Sequence, residues 1–158
     1  MLESSIQALE TGWENSWLWG VPLVVTTVVF HVLCLGLIDR GVTSVLERTG
    51  IGRPSLMRFV LVMGSVAFLA TLLHGIEASI WGLAFVVLGA VPSVAPAMLY
   101  SLNALTSYGH DTIVLLGHWQ LLGAIEALNG IMLFGLTTAF LFATLQRVWF
   151  LGRHRHEQ

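Results

Sequence analysis

The chain has 158 residues, of which 56% are hydrophobic and only 10% charged, against about 25% charged in an ordinary soluble domain. That balance excludes a water-soluble globular domain, and a net charge of −2 with no lysine leaves no expectation of a nucleic-acid partner. Three apolar stretches are long enough to be candidate membrane spans: Val21 to Ile38, Phe59 to about Val91, and Thr112 to about Leu145.

In chain order, residues 1–16 read as an amphipathic surface segment, with Leu2, Ile6 and Leu9 on one helical face. The first span begins near Trp17, carries His31 and the lone Cys34, and is expected to stop at Asp39-Arg40-Gly41. Residues 42–48 then suit a short interfacial helix, and Gly50, Gly52 and Pro54 mark a loop. Ser55 is a candidate N-cap for a second span. That span runs to Val91 without a proline; breaking it at Gly75 would put the C-terminal arginines outside, so it is read as one helix. Ser93 and Pro96 predict the start of a short helix ending near Thr106. A loop over 107–111 and a third span from about His118 to Trp149 complete the order.

All seven basic residues are arginines, at 40, 48, 53, 58, 147, 153 and 155, whereas the stretch before Trp17 holds only acidic charges. Basic loops stay in the cytoplasm. The expected orientation therefore has the N-terminus outside and the C-terminus inside, which three full spans and one re-entrant hairpin satisfy. Trp13, Trp17, Trp19 and Trp149 suit an interfacial aromatic belt. The expected domains are 1–55 (amphipathic segment, extra transmembrane helix and cytoplasmic loop), 56–149 (short-helix module) and 150–158 (basic tail). In the tail, Arg153, His154, Arg155 and His156 suit an anchor to anionic lipid.

Residues 58–149 resemble the pore module of the tetrameric potassium-channel superfamily. Ala97-Met98-Leu99-Tyr100-Ser101-Leu102 resembles its pore helix, and Thr106-Ser107-Tyr108-Gly109-His110-Asp111 occupies the position of its T-T-V-G-Y-G-D-like filter. Gly130 is similar to the hinge glycine of the inner helix, with Phe134-Gly135-Leu136-Thr137-Thr138-Ala139 following at the family spacing. The resemblance implies an all-α, bacterial-type inner-membrane homotetramer: three transmembrane helices, a re-entrant pore helix and a filter-like loop. It implies passive passage of monovalent cations, with no enzymatic activity and no cofactor beyond a bound cation. The filter is one residue short, lacks one glycine and has His110 where tyrosine is usual. Carbonyl rings need backbone angles that glycine adopts cheaply, so fewer ion sites and weaker potassium selectivity are expected.

Each candidate residue has a second, plainer role. Thr106 and Ser107 either favour a cation at the negative end of the helix dipole or cap that helix. Asn103 and Asp111 align with positions that brace the family's filter, and the plainer role of Asp111 is a solvated charge at the outer mouth. His110 either titrates at the outer mouth or packs as an aromatic. Ile131, Phe134 and Thr138 share a face that would line a central cavity, and Gly130 and Gly135 serve bending or close helix approach. His74 and Glu77 have the spacing of a metal-ligand pair on one helix face, and with Glu126 and Asn129 they also suit a structural polar cluster. His31 is expected to bond a neighbouring helix. The expected function is a cation channel with altered selectivity. The alternatives are a non-conducting relative that binds metal or senses protons through His74, Glu77, His110 and Glu126, and a small redox subunit holding haem between histidines.

Overall fold

In lipid a backbone N–H has no water to turn to, so long apolar runs fold as uninterrupted helices. The computed structural model describes residues 2–48, 56–109 and 113–150, and side chains at 12–48, 56–109, 113–116 and 118–148. The described residues are all-helical. Helix α1 spans Leu2–Arg48, α2 Leu56–Val87, α3 Val94–Leu105 and α4 Gln120–Phe150, with one 3₁₀ turn at Gly117–Trp119. Among the described residues, three stretches are long and apolar enough to cross a membrane: Gly12–Arg48, Leu56–Val87 and Gln120–Val148, with mean hydropathies of 2.4, 2.1 and 1.7.

Helix α1 corrects two expectations. From Leu2 onward the N-terminal segment is continuous with the first span, and the helix does not stop at Asp39-Arg40-Gly41 but runs on to Arg48. One helical glycine costs only about 1 kcal/mol. Against that, Val42 is buried by tertiary packing, which keeps the chain in the helical path. Pro22 lies inside the same helix, as membrane helices tolerate. The side chains of Leu2, Ile6 and Leu9 lie outside the described residues.

Helix α2 passes Gly75 unbroken, as expected, and continues through Gly82, but ends at Val87 rather than Val91. Gly89 takes the left-handed conformation (φ 69°). The Ala90 N–H donates to the Phe85 carbonyl at 2.8 Å and the Gly89 N–H to the Val86 carbonyl at 3.0 Å. These two bonds are a Schellman motif, which satisfies the last helix carbonyls. Pro92 follows and cannot extend the helix.

The chain divides into two units. The first joins Met1–Phe30 with His74–Leu133. Its core gathers Trp81, Phe85, Ala97, Tyr100, Ala104, Leu115, Leu122 and Ile125. The Phe85 and Tyr100 rings meet edge to face, 5.2 Å apart, a geometry that aromatic quadrupoles favour. Lipid is as apolar as leucine, so helices associate there by close packing and hydrogen bonds rather than by hydrophobic burial. Small residues accordingly occupy this core (Ala78, Ala97, Ala104), while Leu83, Val94 and Leu128 are exposed.

The second unit joins His31–Leu73 with Phe134–Gln158. Leu35, Val42, Val66, Ala70, Leu73 and Val148 are buried in it. His31 is fully buried with Nε2 3.1 Å from Thr137 Oγ1, the bond to a neighbouring helix expected of it. Arg147 Nη1 donates to Asp39 Oδ1 at 2.7 Å and to Thr43 Oγ1 at 3.2 Å. Both charged partners are substantially exposed, so in water the pair is worth at most about 1 kcal/mol. An apolar groove of about 530 Å³ lies between α1 and α2, lined by Leu37, Gly41, Val45, Leu61 and Leu69 among others.

Candidate functional site

Helix α3 is where sequence and structure agree best. Ser93 is its N-cap in extended conformation (φ −150°, ψ 159°), and Pro96 sits in the first turn, where a missing N–H costs nothing. The Ser93 side chain makes no capping bond, and the first bond within the helix runs from the Ala97 N–H to the Ser93 carbonyl at 3.2 Å. Its buried residues are Ala97, Tyr100, Ser101, Ala104 and Leu105, one helical face at three- and four-residue spacing.

That face is seated on α4 by two glycines. A Cβ at Gly130 would collide with the Leu105 carbonyl group, and one at Gly123 with the Tyr100 hydroxyl. The lack of a side chain at Gly130 thus permits the close approach of α3 to α4. Gly135 has open space around it.

The C-terminus of α3 is closed by its own backbone. The Ser107 N–H donates to the Ala104 carbonyl at 2.9 Å and the Tyr108 N–H to the Asn103 carbonyl at 3.0 Å. Thr106 Oγ1 donates to the Leu102 carbonyl at 2.7 Å, which is the capping role expected of it. Ser107 takes a left-handed φ of 54° and Gly109 a φ of 96°, while Tyr108 between them does not. The whole run Thr106–Gly109 is exposed, Tyr108 to 86%. Asn103 contributes a backbone carbonyl to this turn; Asp111, the other expected brace, and His110 lie outside the described residues.

A second group of side chains is buried beside this turn's helix. Glu77, Glu126 and Asn129 are 0–1% exposed, and His74 is buried as well. His74 Nδ1 lies 3.1 Å from Glu77 Oε2, so the pair offers one nitrogen and one carboxylate oxygen from a single face of α2. Glu126 Oε1 is hydrogen-bonded to Ser101 Oγ of α3, and Ser101 Oγ donates to the Ala78 carbonyl of α2 at 2.7 Å. Asn129 Nδ2 donates to Thr27 Oγ1 of α1 at 2.8 Å. Thr27 Oγ1 spends its own hydrogen on the Leu23 carbonyl at 2.9 Å, which fixes the orientation of the Asn129 amide.

Sequence reasoning assigned no role to Ser101, Thr27 or Gly123. A serine in register with Ala97, Ala104 and Leu105 was the available signal, because a hydroxyl on a buried membrane-helix face needs a partner. Of the expected cavity residues, Ile131 in the first unit is 60% exposed. In the second unit Phe134 is 38% exposed, and its carbonyl accepts from Thr138 Oγ1 at 2.8 Å. Comparison with family models, with curated proteins and with solved structures returned no match.

Proposed function

We propose that this chain is the pore-forming subunit of a homotetrameric channel for monovalent cations in a bacterial inner membrane. Helix α3 is re-entrant in this reading, the loop after it faces the axis, the N-terminus is outside and the C-terminus is cytoplasmic. The carrying observation is the alternation of backbone hand at Ser107 and Gly109 directly after a helix buried along one face and too short to cross. Twelve residues rise about 18 Å, against a hydrocarbon core of about 30 Å. Alternating hand turns successive carbonyls toward one side, as backbone coordination of a dehydrated ion requires. The negative end of the α3 dipole adds to the attraction of a cation.

Strained backbone persists only where its surroundings hold it, and it clusters at functional sites. Here the hold is the Schellman pair after α3 together with the Gly130 seat under Leu105. Liposome flux tests the reading. Wild type is expected to pass monovalent cations, Gly109→Ala to pass far fewer because its φ of 96° strains any side chain, and native mass spectrometry to show four copies. Wild-type liposomes silent between roughly pH 5 and 8, where histidines titrate, would overturn it.

A further inference from the structure

The Ser101 hydroxyl owns one hydrogen but touches two oxygens. One is the Ala78 carbonyl at 2.7 Å, which can only accept; the other is Glu126 Oε1. Were Glu126 ionised, both neighbours would be acceptors and one contact would set oxygen lone pairs against each other. Both are hydrogen bonds only when the carboxyl brings its own hydrogen, so that Glu126 O–H donates to Ser101 Oγ and Ser101 O–H donates to the Ala78 carbonyl.

The electrostatic surroundings point the same way. Glu126 is fully buried, and an unpaired buried carboxylate costs several kcal/mol or more. The described residues of its unit contain no arginine or lysine. From α3 it is faced by Ser101 and by Tyr100, whose hydroxyl lies beside Gly123, one turn before Glu126. From α2 it is approached by the Ala78 carbonyl, flanked by Glu77; His74 is already paired with Glu77. From α1 the neutral Thr27 reaches only Asn129. His118 is exposed. The hydrogen bond described for Glu126 brings it to neutral Ser101 and to no cation.

We propose that Glu126 is a proton-binding site, and that its proton completes a relay of two hydrogen bonds fastening α3 to both α4 and α2. The ligand is the proton itself. Its removal leaves Ser101 one hydrogen for two acceptors, so one of the two links opens and the helix bearing the strained turn loosens. The site stands whether or not the chain conducts, and its test needs no flux.

Infrared difference spectra of wild-type protein and Glu126→Gln, in lipid at neutral pH, read the proton directly. A protonated-carboxyl C=O stretch is expected in wild type and in Glu77→Gln, and lost in Glu126→Gln. No such band, or one that survives Glu126→Gln, overturns the proposal. Should Glu126→Gln not fold, Ser101→Ala decides: it keeps the acid and removes its acceptor, so the stretch moves to higher frequency. A stretch that does not move overturns the proposal equally.

Discussion

Helices α2 and α3 end in the same way and with opposite consequences. Both close with a Schellman pair, from Ala90 and Gly89 onto Phe85 and Val86, and from Tyr108 and Ser107 onto Asn103 and Ala104. At the first end the left-handed residue is glycine and the chain returns at once to the core through Ala90 and Val91. At the second it is serine, and the chain stays exposed through Gly109. A left-handed residue with a Cβ costs about 1–2 kcal/mol. The first turn is built for economy of strain and the second retains it, so strain marks the loop that the proposed function uses.

The largest effect should come from the seat beneath the second turn. Gly130→Ala drives a methyl into the Leu105 carbonyl group, which belongs to backbone and has little room to give. Overpacking of this kind costs about 1–3 kcal/mol, read as a lower thermal midpoint in lipid or detergent. The loss should come with faster amide exchange at Ser107 and Tyr108 and unchanged exchange at Ala90. Equal loosening of both turns would break the contrast. Next comes Gly89→Ala. Nothing lies within 4 Å of the added methyl, so its whole cost is the left-handed φ, about 1–2 kcal/mol, and here Ala90 should exchange faster while Tyr108 does not.

Ser107→Gly runs the comparison in reverse. Relief of about 1–2 kcal/mol of left-handed strain is offset by roughly 0.5–1 kcal/mol of extra unfolded-state entropy, leaving a gain of at most about 1.5 kcal/mol, read as a higher thermal midpoint. Flux should fall in the same variant if strain holds the loop in a conducting shape. A stabilised protein with unaltered flux would separate the strain from the function.

Much of this was legible in the sequence. Ser93 and Pro96 announced the start of α3 because capping and the proline ring act within one turn. The spans were legible because hydropathy needs no knowledge of neighbours. The end of α2 was missed although Gly89 and Pro92 were in view, because apolar Ala90 and Val91 disguised a turn that is buried in the core. The run of α1 past Gly41 was missed because tertiary contacts at Val42 outweigh a weak local breaker. The Ser101 link was out of reach for another reason: it joins three helices, and no local pattern states which carbonyl of α2 lies opposite which serine of α3.

The smallest effect belongs to the last glycine of α4, and its sign is informative. Gly135 would have nothing within 4 Å of an added methyl group, and its backbone is ordinary helix, so Gly135→Ala should gain about 0.5–1 kcal/mol of helix propensity. The same substitution five residues earlier is expected to lose more than that, although both glycines sit in one helix of one composition. The difference rests on what each glycine faces: a carbonyl of the same chain at 130, open space at 135. A loss at 135 in lipid would mean that the open space is filled by another molecule. Small residues are the surfaces by which membrane helices approach each other, and the proposed tetramer would supply a second copy to meet it. Measuring Gly135→Ala both in lipid and in a detergent that yields monomers separates the two cases: a gain in both leaves this face to lipid, whereas a loss confined to the assembled form places a neighbouring subunit against it.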